Sequence, residues 1–393
     1  MGITESSIKP IYMDHAATTP LDPAVFEAML PYLTECYGNP SSVHCLGRQA
    51  RGAIEESRGR IAQHLNTKPE HIIFTSGATE ANNLALNILG AEEHLITSNI
   101  EHKAILEPAK GLEASGIGVT LLTPDSILGT LNGTQIAGAI KPDTRLVSVM
   151  YVNNETGAST PLKEISRTCD EHNVLLHTDA AQAAAWVPLD TESLDVDMMS
   201  LSAHKFYGPR GIGILYVRDT VVLSPQILGG AQERGRRGGT ENVAAAVGMA
   251  TAMDLIVEDQ DTHACRIYLL RQELQEQLLV ELGDQLIVNT PPSSAPHVLN
   301  VAFKPMDDIP LDGEMLLLNL DLEGIYTSAG SACTSGAISP SHVLLGLGVP
   351  EHTARASLRL SLGRSTTRED IARTVECICN VVKRMRGQRR NGE

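Results

Sequence analysis

Lys205 stands in Ser200-Leu201-Ser202-Ala203-His204-Lys205-Phe206-Tyr207-Gly208-Pro209-Arg210-Gly211, where an apolar strand (Met198, Met199, Leu201) gives way to a Gly/Pro-rich turn. A lysine at such a junction lies on the carboxyl edge of an α/β sheet, where these folds hold their ligands. With an ordinary pKa of about 10.4, well under ~1% of it is free amine at pH 7. Chemistry that needs the amine must desolvate it or tie it up as a Schiff base. Asp179 ends the preceding strand, Val174–Thr178, so acid and amine can face one crevice. A carboxylate near an aldehyde-carrying lysine is the arrangement a pyridoxal cofactor needs, because the acid keeps the ring nitrogen protonated and the ring then draws electrons. His102, at another strand end, could stack on that ring or shuttle protons. Gln182, just past Asp179, could reach the ring oxygen, as could Asn154. Taken singly, each residue would serve equally well as a helix cap or turn; their common position on one sheet edge is what groups them.

Two further features could add chemistry. Strand His71–Thr75 runs through Ser76-Gly77-Ala78-Thr79 into a helix, Glu80–Leu89. Free N–H groups and the helix dipole point the same way there, as in a phosphate cradle; the turn is neither a P-loop nor a G-x-G-x-x-G, and a plain βα loop is the alternative. Cys333 lies in Thr327-Ser-Ala-Gly-Ser-Ala-Cys-Thr-Ser-Gly-Ala, small and polar residues unsuited to a core. An exposed, mobile loop is expected, with the thiol available as a nucleophile. The other six of the seven cysteines (Cys36, Cys45, Cys169, Cys265, Cys377, Cys379) are expected to be buried. An odd, scattered set argues against a disulfide framework, and no spacing of the thirteen histidines suggests zinc.

The elements that must position these residues alternate. Expected strands are Leu95–Ser98, Val119–Thr123, Leu146–Tyr151, Val174–Thr178, Met198–Leu201 and Gly213–Val217, with helices near 103–115, 134–140 and 161–172. That order implies a mostly parallel sheet with helices on both faces. One long helical region is expected over 241–282, with a domain boundary near 260. Strands at Leu286–Asn289, Val298–Phe303 and Leu358–Leu362 follow, and the basic tail from Lys383 is expected to fray. The chain is thus divided into a large domain, 15–260, and a small α+β domain, 261–393 with 1–14, carrying the Cys333 loop. With 31 Lys+Arg against 47 Asp+Glu, the formal charge of −16 makes duplex DNA or an anionic membrane an unsuitable general partner. Arg234, Arg236 and Arg237 form one local basic patch, expected beside a cofactor phosphate at a subunit interface, with a partner-facing surface as the alternative. The first ten residues carry Glu5 and Lys9 without an apolar run, and the apolar stretches are only strand length, so a cytoplasmic protein is expected.

The ordered set Ser76-Gly-Ala-Thr-Glu, Glu101-His102-Lys103, Val152-Asn-Asn-Glu-Thr-Gly157, His177-Thr-Asp-Ala-Ala-Gln182, Ser202-Ala-His-Lys-Phe-Tyr-Gly208, Arg237-Gly-Gly-Thr240 and Ser331-Ala-Cys-Thr-Ser-Gly336 closely resembles the NifS/IscS-type cysteine desulfurases. The likeness runs from Tyr12-Met-Asp-His-Ala-Ala-Thr-Thr to Leu360-Ser-Leu-Gly-Arg-Ser-Thr-Thr367. It implies a pyridoxal 5′-phosphate enzyme of the aspartate-aminotransferase-like fold (type I), with a mixed, mostly parallel seven-stranded sheet, working as a homodimer. By that matching Lys205 is the Schiff-base lysine, Asp179 the ring-nitrogen partner, His102 the stacking residue and Gln182 the contact to the phenolic oxygen. The phosphate falls to Ala78, Thr79, Ser202 and His204, with Thr240 reaching in from the other subunit. Asn154 and Arg359 take the substrate carboxylate, which a guanidinium fork matches bidentately. The implied reaction removes sulfur from L-cysteine, leaving alanine and a persulfide on Cys333 for a sulfur-acceptor protein in iron–sulfur assembly, tRNA thiolation or another sulfur-modification pathway. A selenocysteine lyase, C–S lyase or aminotransferase on the same scaffold is the alternative. The chain stops soon after the last helix, which leaves the family's usual scaffold docking open.

Overall fold

The computed structural model describes residues 9–125, 127–329 and 339–390, with side chains up to residue 387. Its strands are β1 (Ile11–Tyr12), β2 (Ile72–Thr75), β3 (His94–Ser98), β4 (Gly118–Leu122), β5 (Thr144–Ser148), β6 (Leu175–Asp179), β7 (Met198–Ser202), β8 (Gly213–Val217), β9 (Leu286–Val288), β10 (Val298–Phe303), β11 (Ile325–Tyr326) and β12 (Ser357–Ser361). Seven of them form the central sheet in the order β2-β8-β7-β6-β5-β3-β4. The pairs from β7 to β4 are parallel, and β8 is antiparallel to both β2 and β7. Six strands therefore run one way, and the carboxyl ends of β2, β3, β5, β6 and β7 open on a single edge.

This sheet is covered on both faces, which is why its strands read as apolar runs. Every residue of β2, β3, β7 and β8 is buried. The covering helices are one-sided: in Leu162–Glu171 the buried positions are Leu162, Ile165, Ser166 and Cys169, the i, i+3, i+4, i+7 stripe of a helix laid on a sheet. Helices Ala78–Leu86 and Lys103–Ala114 follow β2 and β3, each starting at the sheet edge that opens on the cavity described below.

Three differences from the sequence reading have physical causes. The helical region after residue 241 is two helices, Val243–Val257 and Gln260–Leu282; Asp259 between them leaves helical geometry at φ −127, ψ 24. The first is buried nearly all round and the second on one stripe only, so no single axis serves both. The basic tail holds its helix: Arg368–Arg390 is continuous and packs on Gln260–Leu282. Of the cysteines expected to be buried, Cys169 and Cys379 are, whereas Cys36 and Cys377 are half-buried and Cys45 and Cys265 exposed. The last two sit on the solvent faces of their helices, where a small side chain gains little from burial.

A second, three-stranded sheet (β12-β10-β9, antiparallel) forms in the C-terminal part. The N-terminal segment is sewn into this region. β1 pairs parallel with β11, Asp14 bridges to Ser361, and Ser361 N donates to Met13 O at 2.7 Å. That seam brings residues 13–18 across the mouth of the large sheet.

Candidate active site

The carboxyl edge of the large sheet and the seam from residues 13–18 enclose a cavity of about 670 Å³. Lys205 reaches it from the turn Ala203–Lys205 immediately after β7. Burial pushes its pKa down to about 8; Arg359 acts in the same direction, while Asp179 and Asp14 oppose. Its Nζ donates to the carbonyls of Ala16 (2.7 Å) and Ala17 (2.8 Å). The amine is thus partly stripped of water yet held by two neutral acceptors, the condition under which a lysine becomes a usable nucleophile.

Asp179, the last residue of β6, lines the same cavity. Its carboxylate is fixed from two sides: Asn82 Nδ2 donates to Oδ2 at 2.6 Å and the Ala181 amide to Oδ1 at 3.0 Å. Gln182 follows in the next turn, its Nε2 donating to Ala16 O at 2.8 Å and its Oε1 lying 3.4 Å from His297 Nε2. His102 lines the cavity too, but not from a strand end. It is the N-cap of helix Lys103–Ala114, its Nδ1 accepting from the Ala104 amide at 3.1 Å. The exposed surface of this side chain opens on the cavity, and the surrounding protein lowers its pKa; Lys205, His342 and Lys103 add to that and Asp179 opposes. Glu101, just before it, is fully buried and pushed up to about 8, mainly by burial.

One end of the cavity is made for an anion. Gly77 has φ +154, a conformation other residues rarely adopt, and a Cβ there would point at Ser202 Oγ from 3.6 Å. It caps helix Ala78–Leu86, which begins two residues earlier than the sequence suggested, so Ala78 and Thr79 supply amides with no intrahelical acceptor. Glu80 braces the turn by accepting from the Ser76 amide at 2.8 Å while pairing with Arg237. Ser202 and His204 close the cradle. His204 is driven down to about 4 by burial, then by Lys205 and Arg210, and is neutral at pH 7.

The other end carries Arg359, on β12, and Asn154. Arg359 is 5% exposed, not a surface arginine. Its NH2 donates to Asp14 Oδ1 at 2.7 Å and its NH1 to Asn154 O at 3.0 Å, while its buried Nε has no partner among the described residues. Ser328 Oγ donates to the same Asp14 oxygen at 2.9 Å.

The structure therefore brings Ala78, Thr79, His102, Asn154, Asp179, Gln182, Ser202, His204, Lys205 and Arg359 together. Thr240 does not join them in its own chain; it lines a separate cavity of about 170 Å³ that shares Ser76 and Gly211 with the first. Of the basic patch, Arg237 pairs with Glu80, the residue that braces the cradle turn, and lines the Thr240 cavity, while Arg236 donates to Glu70 O. Cys333 lies outside the described residues. Sequence reasoning missed Asp14, Ser328 and His342, all of which line the cavity. The one nearby signal was the pair Ala16-Ala17, whose small side chains let their carbonyls approach Lys205.

Residues 11–374 match the aminotransferase class-V family. The chain is 40% identical over 383 residues to a cysteine desulfurase IscS of Dictyoglomus turgidum, covering 96% of each. Among solved structures it is similar to a NifS-like protein (36% identity, TM-score 0.87, 95% of this chain and 99% of that one). A second, described as SspA in complex with cysteine, superposes at TM-score 0.78 with 36% identity over 91% of this chain and 99% of that one. With a lysine, a carboxylate and an anion cradle set on the carboxyl edge of a doubly covered sheet, and with these likenesses spanning nearly its whole length, the chain belongs to the aminotransferase class-V family, in its cysteine desulfurase group.

Proposed function

We propose that the protein is a pyridoxal 5′-phosphate-dependent cysteine desulfurase that takes sulfur from L-cysteine, releases L-alanine and holds the sulfur as a persulfide on Cys333 until an acceptor protein collects it. The observation that carries this reading is the placement of a desolvated Lys205 between Asp179 and the Gly77–Thr79 cradle. Those three features answer the aldehyde, the basic ring nitrogen and the phosphate of that cofactor in turn. When bound, the cofactor supplies an electron sink for charge developing on the substrate. Lys205 would hold the aldehyde, and its amine, released by substrate, would move the Cα proton. Asp179, oriented by Asn82, would keep the ring nitrogen protonated, and His102 would stack on the ring. Gln182 would contact the phenolic oxygen, with Ala78, Thr79, Ser202 and His204 on the phosphate. Arg359 and Asn154 would orient the substrate carboxylate.

The same reading makes the protein a homodimer, with Thr240 completing the partner's phosphate site, and divides the chain into a large domain, 15–260, and a small one, 261–393 with 1–14. A cytoplasmic location belongs to it; among the described residues no helix is long and apolar enough to cross a membrane. The test is to incubate purified holoenzyme with L-cysteine and a reductant. Equimolar alanine and sulfide are expected, with Cys333→Ser still binding cofactor but releasing no sulfide. Pyruvate or a keto acid as product, or full sulfide release by Cys333→Ser, would refute the reading.

A further inference from the structure

A second imidazole shares the cavity with His102. His342 opens the short helix His342–Gly346, which Ser341 caps by accepting from the Leu344 amide at 3.1 Å. The Nε2 of His342 lies 2.9 Å from the carbonyl oxygen of Glu101. A carbonyl can only accept, so this contact puts the ring proton on Nε2 and leaves Nδ1 with its lone pair free. Among the described residues Nδ1 has no hydrogen-bond partner, and it is not one of the buried unpartnered atoms. His342 lines the main cavity, so that lone pair is open to it. His102 cannot substitute through its own Nδ1, which is engaged in capping its helix. The charged and titratable groups packed around His342 are His102 and Lys103 at the neighbouring helix start, Glu101 and Glu155 behind it, and Arg359 across the cavity. Glu155 is held by Ser341, the residue before His342, so the helix start is anchored on both sides.

We propose that His342 is a further catalytic residue, carrying the proton of the substrate's thiol from the sulfur to the carbon that the sulfur leaves. This rests on the desulfurase reading. A substrate thiol with a pKa near 8.5 is mostly protonated at pH 7, and in this cavity its S–H would meet the free lone pair of His342. An enzyme thiolate attacks that sulfur; the S–S bond forms, the C–S bond breaks, and the bonding pair stays with the β-carbon. The two sulfurs are oxidised by two electrons, which the carbon gains. The sulfur-bound proton passes to Nδ1 as the persulfide forms, and the imidazolium then gives it to the β-carbon, which becomes the methyl group of alanine. One thiolate and one thiol enter; one persulfide anion and one methyl group leave, so charge and atoms balance without an added reactant.

His342→Gln tests this in the holoenzyme, because an amide NH2 can still donate to the Glu101 carbonyl but cannot carry a proton. Cofactor absorption and half-saturation by cysteine should stay within about threefold of the unsubstituted protein. The kcat should fall by roughly 10²-fold, the range for one lost acid–base group, and the acid limb of the kcat/KM pH profile should flatten. Added imidazole should restore part of the activity of His342→Ala. A kcat within about twofold, with an unchanged pH profile, would overturn the proposal. An independent readout is the tautomer: ¹⁵N-histidine spectra should show His342 protonated on Nε2 at neutral pH, and an Nδ1–H form would overturn it whatever the variants do. If the unsubstituted protein makes no alanine from cysteine, it is the desulfurase reading that fails, and the tautomer measurement still stands or falls by itself.

Discussion

The two ends of the cavity are built in different ways. At the end proposed for the cofactor, every group sits within a few residues of a carboxyl strand end of one sheet: Ser76–Thr79 after β2, Asp179 at the end of β6, Ser202–Lys205 at the end of β7. Strand direction alone brings these groups together. At the end proposed for the substrate, Arg359, Ser328 and Asp14 meet across sequence separations of 345 (Asp14–Arg359) and 314 (Asp14–Ser328). They come from β12, from the stretch after β11 and from the seam, and no one element orders them. The first end is held by a packed sheet; the second depends on the seam between the chain's beginning and its C-terminal part.

That contrast can be broken most severely at the cofactor end. Lys205→Ala should abolish covalent cofactor attachment and lower alanine formation by about 10³-fold or more, since the residue would both anchor the cofactor and move protons. The absorption spectrum and product assay check it. Asp179→Asn should cost about 10²-fold in kcat while leaving the fold intact: the Ala181 amide can still donate to the remaining oxygen, and Asn82, whose Oδ1 has no partner among the described residues, can turn to accept from the new NH2. A kcat assay on the cofactor-loaded variant reads this.

At the substrate end the effect should fall on KM. Arg359→Lys keeps the charge but loses the fork, so KM for cysteine should rise about tenfold or more with an unchanged cofactor spectrum. Asp14→Asn leaves an acceptor for Arg359 but removes the charge that holds it, and a smaller rise of about fivefold is expected. If Asp14→Asn instead changed the cofactor spectrum, the two ends would not be separable in this way.

The smallest expected effect concerns stability. His177 bridges β5 and β7, Nδ1 being 2.8 Å from Ser148 Oγ and Nε2 3.0 Å from Ser200 Oγ, and full burial drives its pKa down to about 3. Burial also lowers His15 to about 4. Below pH 6.5 the unfolded chain binds protons that these histidines refuse when folded, so stability should fall as pH drops from 6.5 toward 4. Each contributes up to about 1.4 kcal/mol per pH unit in that window. Urea unfolding at pH 7, 6 and 5 reads this, and His177→Gln should flatten the slope.

The same contrast explains what the sequence could disclose. The cofactor end is local: strand, turn and helix start are consecutive in the chain, so Lys205, Asp179 and the Ser76–Thr79 turn declare themselves through strand patterning and small-residue turns. Arg359 was found by family likeness, and its burial against Asp14 had no local signal. Asp14 read only as part of an extended segment because its partner lies 345 residues on. His342 was missed because a histidine after a serine N-cap looks like an ordinary first-turn residue; its contact with Glu101 exists only in three dimensions. The break at Asp259 escaped notice because helix periodicity continues on both sides.

The parallel pairing of β1 with β11, and of Asp14 with Ser361 beyond it, sets the time at which this molecule becomes competent. During synthesis the large sheet can form once β8 has emerged, and Lys205 and Gln182 can then hold the carbonyls of Ala16 and Ala17. Residues 11–14, however, have no strand to pair with until β11 and β12 leave the ribosome. On the proposed reading, a nascent chain therefore owns an anion cradle long before it owns its place for an amino acid, which is complete only when almost all of the chain has been made.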